Sequence, residues 1–391
     1  MFGNHRFSNR VLFFLTKKKK LSRKEWSMAV YLILFLLAAG TGIPLCGICD
    51  KKEGRKVLWY CIAAGTVLTL VSAFRFGVGY DYNLYAGWYY DLNFTDFDDL
   101  CGGRKELGMF LPLKLVNLFT SDYAAAFPLI SLMIYVPLTV YIYRSSDNPW
   151  ISFAAFLGMG LFFNSMNFMR QFIAAVICAF AFGYAAKGCR IRYLLIILFA
   201  SVFHRSALFL VPCFLFAYIG WNAVTLVISM LVSAGAFAFS GELMRLFTKY
   251  VYSDYTSSSS DVANGLPPVY AVMFGTLFLL LFALRNRMNG DERSINIIVW
   301  CGFFTFFFEL LGARIAIISR LSLLFFIPAV CLGVPKIFSV LYHMAEGRKK
   351  GTGIAVMAAM IILLGGSYSM LIARNYNGVV PYRTIFERTA E

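Results

Sequence analysis

The feature that most constrains this chain is a series of apolar runs too long and too free of charge for a soluble core. Residues 221–240, 270–283 and 354–372 carry no charged side chain over most of a bilayer's thickness. A helix needs about 20 apolar residues to cross a hydrocarbon layer of about 30 Å. Lipid offers no partner for free backbone groups, so such runs must be helices, or re-entrant elements that the protein itself shields. Composition agrees: 60% of the 391 residues are hydrophobic and 14% are charged, against about 25% charge in a soluble domain. The 40 Phe and 22 Tyr suit lipid-facing surfaces and interfacial belts. The expected fold is an all-α polytopic membrane protein.

The apolar segments fall at 28–49, 57–74, 123–143, 150–166, 169–186, 193–217, 220–240, 268–284, 295–313, 321–341 and 353–373. They read as one transmembrane domain over 28–374, preceded by a basic extension, 1–27, and followed by a tail, 375–391. The apolar stretch 11–15 is too short for a cleavable signal peptide. The net charge of +16 sits in short loops between spans, which is an orientation signal and not the footprint of a nucleic-acid binder. The basic connectors 51–56, 187–192, 285–293 and 348–350 are expected in the cytoplasm. Segment 75–122, with seven acidic and four basic residues, is expected outside, and so is the tail.

Counting between these anchors exposes a conflict. Three segments separate residue 192 from residue 285, and an odd number would put 285–293 outside. The repair is that 193–217 turns back at its charged centre, His204-Arg205-Ser206, as a re-entrant hairpin. About ten crossings plus that hairpin then satisfy the later loops. The alternative is an ordinary span whose flanks break the rule. Residues 17–24 stay in conflict, being basic yet counted outside. The nine cysteines lie mostly in apolar runs and behave as small hydrophobes. Cys46 and Cys49 have redox or metal spacing but no partner ligands, so no metal site and no cofactor are expected.

Ionisable groups at membrane depth cost about 2.5–3.5 kcal/mol on insertion scales and therefore point to function. Arg75, Asp81, Tyr82 and Tyr85 follow the second span, around the turn-forming Gly77 and Gly79, and Glu106 lies later in the same outer segment. Asn164, Asn167, Arg170 and Gln171 join two spans. His204 and Arg205 mark the hairpin centre, Arg314 and Arg320 flank 315–319 with Glu309 one turn inward, and Tyr382 follows the last span. With the hairpin in place these groups gather near the outer leaflet. Arginines suit phosphate, and tyrosine faces with carboxylates suit sugars. The set reads as a site for an anionic, lipid-linked substrate.

These motifs resemble the EpsG family of bacterial exopolysaccharide proteins, related to the Wzy polysaccharide polymerases. Arg75-x-Gly77-x-Gly79-x-Asp81-Tyr82-x-x-Tyr85 is similar to the family's arginine–glycine–glycine–threonine–aspartate–tyrosine signature, with Tyr80 in place of threonine. Asn167-x-x-Arg170-Gln171-x-x-Ala174, Phe203-His204-Arg205-Ser206-Ala207-Leu208, Arg320 before Phe325-Phe326, and Pro381-Tyr382 are similar to later family elements. Glu106-Leu107-Gly108 departs from the family's glutamate–proline–glycine arrangement.

The resemblance implies a metal-independent glycosyltransferase with a glycosyltransferase-C-like helical bundle. It would polymerise oligosaccharide repeat units carried on undecaprenyl diphosphate, in the bacterial cytoplasmic (inner) membrane, with the active site facing outside. His204 is then the first choice of base and Asp81 the second. Arg75, Arg170 and Arg320 would stabilise the leaving diphosphate, and Tyr82, Tyr85, Glu106, Gln171, Arg205, Arg314 and Tyr382 would contact substrate. Membrane lipid, and a chain-length regulator and flippase of the same pathway, are the implied partners. A flippase for the lipid-linked unit, a ligase and an acyltransferase are the alternatives. A flippase is expected to show inverted repeats with paired broken helices; the sequence shows no repeat and one broken segment.

Overall fold

The computed structural model describes residues 23–48, 54–103, 106–242, 245 and 267–390. Most of the N-terminal extension, Cys49, half of the 51–56 connector and residues 257–260 lie outside the described residues. Helices α1 (Arg23–Cys46) and α2 (Arg55–Ala73) form an initial pair. Segment 75–122 then folds into α3 (Tyr82–Asp91), a short helix Phe97–Gly103, and α4 (Leu107–Asn117). Next come α5 (Ala126–Ser145), the bent pair α6 (Pro149–Gly158) and α7 (Leu161–Asn167), and α8 (Met169–Ala186). Helix α9 (Arg190–Ser201) is followed by a 3-10 helix, Arg205–Ala217. The chain ends with α10 (Ala223–Ala238), α11 (Val269–Leu284), α12 (Glu292–Gly312), α13 (Ala316–Arg348) and α14 (Thr352–Ala373).

Among the described residues, eight helices are long and apolar enough to cross a membrane, and the pair α6–α7, bent by 63°, makes a ninth. The tenth expected crossing corresponds to α10, whose 16 residues are shorter than a full span. Burial separates the layers. Every residue of α6 and α7 is buried, and 72% of the apolar windows of α12 and α13 is covered, whereas α14 has 17% covered. The centre is thus α6, α7, α12 and α13, with α1, α2, α11 and α14 facing outward.

The segment containing His204 turns back. At about 1.5 Å per residue, the 12 residues of α9 reach about 18 Å, well short of a crossing. The helix stops because His204 takes an extended backbone and caps the next helix, its Nδ1 accepting from the Ser206 N–H. The returning arm packs along α9: the Tyr193 hydroxyl donates to the Leu210 carbonyl at 2.5 Å, and the Tyr193 and Phe214 rings meet edge to face. The hairpin closes where it began. Arg293 lies over the Tyr218 ring at 4.9 Å, and Trp300 Nε1 donates to the Ile219 carbonyl. A Cβ added at Gly188 would come within 3.3 Å of the Tyr218 hydroxyl. Both feet therefore sit at the end of the bundle that holds 285–294.

The opposite end is stitched by buried polar groups. Arg75 is 1% exposed. Its Nη1 donates to the Ser72 carbonyl and hydroxyl, and Nη2 to the Met166 carbonyl and Met169 Sδ. Those two carbonyls belong to the last turns of α2 and α7, where orphan acceptors and the negative end of the helix dipole need a cation. Arg75 also pairs with Thr384 in an antiparallel bridge, so the C-terminal tail lies against the end of α2. Tyr382 anchors that tail, its hydroxyl donating to the Val71 carbonyl and its N–H to Ser27 Oγ. Ser27 belongs to α1, so the start of α1 shares this end with the tail.

Two outcomes check this arrangement. In a chain stripped of native cysteines, Lys187→Cys and Gly220→Cys should react with an impermeant thiol reagent from the same side of the membrane; reaction from opposite sides would show a true crossing. Arg75→Leu leaves the Ser72 and Met166 carbonyls buried without a donor, at about 1–3 kcal/mol each. It should lower the unfolding temperature of detergent-solubilised protein, whatever its effect on activity.

Candidate functional site

At this stitched end, segment 75–122, the α7–α8 junction and the hairpin tip meet. The contact begins with a close backbone approach. Gly108 N–H donates to the Val202 carbonyl at 3.0 Å, and a Cβ at Gly108 would lie 2.9 Å from the Phe203 ring, so only glycine allows this docking unshifted. Glu106 precedes α4 as its N-terminal flank, and Leu107 is the first helical residue. The family arrangement has proline at that first position, to which proline is well suited, and here leucine begins the helix.

Docking brings Glu106 between Arg170 and His204. Arg170 Nη1 and Glu106 Oε2 form an ion pair, and His204 Nε2 stands 3.9 Å from Glu106 Oε1. The Arg170 guanidinium lies 4.4 Å above the Trp88 ring, and its backbone N–H donates to the Tyr85 hydroxyl. Trp88 in turn packs edge-on against Tyr85, one turn earlier on α3. Arg320 lies over Phe168 at 5.1 Å, and its carbonyl accepts from Gln171 Nε2 at 2.6 Å. That last bond ties the first turn of α8 to the α12–α13 junction.

Protonation follows from the surroundings. Burial pushes the Glu106 carboxyl up, while Arg170 and the Arg205 backbone N–H pull it down, and burial prevails. His204 is lowered to about 4 by burial, then by the Arg170 and Arg320 charges. Its 3.9 Å approach to Glu106 would be an ion pair only if the ring were protonated, and burial beside two arginines keeps it neutral. A backbone N–H can only donate, so Nδ1, which accepts from Ser206, is the unprotonated nitrogen. The neutral ring therefore carries its proton on Nε2, facing Glu106.

The sequence-derived candidates divide. Glu106, Arg170, Gln171, His204, Arg320 and Tyr85 come together, and Arg205 joins through its backbone. Arg75 and Tyr382 do not: both are buried, with side chains committed to the carbonyls named above. The guanidinium is taken up by two helix ends, so it belongs to the scaffold and not to the diphosphate contacts that the sequence suggested. Tyr82 is also buried, stacked on Phe127 at 4.2 Å between centroids. Asp81 flanks the start of α3, where its backbone N–H donates to Asn167 Oδ1. Arg314 is exposed and lies over Phe237 of α10, and buried Glu309 accepts from Ser322. Asn164 and Asn167 are structural ties, joining α7 to Tyr376 and Asn377 of the tail. Trp88 was not anticipated; its spacing of three from Tyr85 on one helix face was the available signal.

Among the described residues no three of His, Cys, Asp and Glu are grouped so as to hold a metal ion. No curated protein and no solved structure matches the chain. The model of the EpsG family matches residues 58–384, most of the chain. The matched region holds most of α2, the docked segment, the hairpin and the Arg320 junction, and so includes every member of the cluster. By that match the chain belongs to the EpsG family, a family of Wzy-like polysaccharide polymerases.

Proposed function

We propose that this protein polymerises oligosaccharide repeat units carried on undecaprenyl diphosphate at the outer face of the bacterial cytoplasmic membrane. The observation that supports the reading best is the convergence of Arg170 and Arg320 with Glu106 and His204 at the end of the bundle away from the basic loops. A lipid-linked donor presents a diphosphate at the membrane interface and a sugar just beyond it. Guanidinium groups recognise phosphate oxygens through paired, directional N–H donors. Placed in a partly dehydrated site, they stabilise the charge that grows on the departing diphosphate.

In the reaction, a hydroxyl of one unit attacks the anomeric carbon of another. A glycosidic C–O bond forms and the C–O bond to diphosphate breaks, with its electron pair leaving on the phosphate oxygen. Arg170 and Arg320 meet that charge, and Arg205, exposed at the hairpin tip, adds to the field. Trp88, half-buried beside Arg170, offers an aromatic surface that suits a sugar face, with the buried Tyr85 packed behind it. A base within hydrogen-bond reach of the attacking hydroxyl completes the set. A chain-length regulator and a flippase of the same pathway would be its neighbours in the membrane.

The direct test incubates purified, reconstituted protein with a lipid-linked repeat unit and follows oligomers together with released lipid diphosphate. Both should appear in step. Translocation of the unit without oligomers would make the protein a flippase. Arg170→Ala should insert normally yet lose about 100-fold or more in turnover, the scale of removing one donor to a developing anion. In cells it should leave single repeat units without long polymer.

A further inference from the structure

We infer that Glu106 is the general base of this site and that His204 is a positioning residue which holds it. The inference rests on the glycosyl-transfer reading above and changes its proton acceptor. A base needs a free lone pair aimed at the proton it takes. His204 has none available in its resting form: Nδ1 is occupied by the Ser206 N–H, with the Ser206 hydroxyl 2.7 Å away, and Nε2 carries the ring proton. The imidazole faces the carboxylate as a donor, at 3.9 Å from Oε1. At that separation one water, or a small shift on substrate binding, completes the hydrogen bond.

Glu106 meets the requirements that His204 does not. As a carboxylate it has about four lone-pair directions; Arg170 engages Oε2 and the Arg205 backbone N–H adds one donor. Its side chain is 12% exposed, so it is neither sealed in the core nor freely solvated. Burial raises its proton affinity, which improves a carboxylate as an acceptor near neutral pH. The charged and titratable groups around it are Arg170 from α8 and His204 and Arg205 from the hairpin tip. Tyr85 of α3 reaches Arg170, and Arg320 acts on His204.

The ion pair gives the base its timing. With no donor bound, Arg170 compensates Glu106. An arriving diphosphate competes for the same guanidinium, so the carboxylate loses part of its partner as the donor is seated, and its proton affinity rises further. The attacking hydroxyl then gives its proton to Glu106 while its oxygen bonds to the anomeric carbon. The diphosphate leaves with the electron pair, held by Arg170 and Arg320, and Glu106 returns the proton to water. Gly108 is the structural condition for all of this, because its missing Cβ allows the α4 arm to lie on the hairpin tip.

The test uses the reconstituted full chain with a lipid-linked repeat unit, measuring donor binding and turnover as a function of pH. Glu106→Gln, nearly isosteric, should still bind donor but lose about 100-fold or more in turnover. Glu106→Asp should recover part of it. His204→Gln keeps an N–H donor; it should stay measurably active and keep the wild-type acid limb. That limb should lie above the ordinary glutamate range of about 4.3, because activity falls as pH drops through the raised pKa of Glu106. Wild-type turnover by Glu106→Gln, or a His204→Gln loss at least as large as that of Glu106→Gln, would overturn the assignment while leaving the polymerase reading intact. A wild type that forms no glycosidic bond overturns both.

Discussion

Hydrocarbon offers no hydrogen-bond partner, so wherever this chain leaves regular helix the protein itself must satisfy the freed backbone. Breaks occur after α2, between α7 and α8, at the tip of the 193–217 hairpin and between α12 and α13. Each is satisfied by another. Arg75 takes carbonyls from the ends of α2 and α7, Asn167 receives the Asp81 N–H, Gly108 donates to Val202, and Gln171 donates to the Arg320 carbonyl. Breaks that satisfy one another must converge in space. The polar cluster is therefore a consequence of folding in a membrane before it is a site.

That origin explains why similar residues have different roles. Arg75 sits where two helix ends need a cation, and those carbonyls and neighbouring acceptors consume most of its donors. Arg170 meets a single carboxylate and an aromatic face, and its side chain keeps 27% exposure. The first is scaffold, and the second can turn to a ligand. Tyr82 and Tyr85 divide likewise along one helix: Tyr82 stacks into the core, whereas the Tyr85 hydroxyl reaches Arg170. His204 serves in both ways, ending one half-helix and starting the next while presenting Nε2 to Glu106.

Several of these features were legible in the sequence. The charge count pointed to a return of 193–217, with an ordinary span as the alternative, and the His204-Arg205-Ser206 break marked where. Arg170, Gln171, His204 and Arg320, which the fold brings together, stand out in the sequence through the cost of placing polar groups at depth. Arg75 and Tyr382 stand out by the same argument as ligand contacts, because cost at depth does not say who receives the hydrogen bond. Glu106 carries less weight in the sequence, since its neighbour Leu107 departs from the family's proline. Trp88 was missed, since an interfacial tryptophan needs no special explanation.

What the sequence by itself determined is the segregation of apolar from polar segments, and with it the membrane setting and the helical class. These depend on local composition, which the bilayer reads span by span. Only the tertiary structure decided which polar groups are spent on the scaffold and which remain for chemistry. That division depends on partners far away in the chain, such as Met166 for Arg75, Val71 for Tyr382 and Val202 for Gly108. A lone pair or a guanidinium has no role until its neighbours have taken what they need.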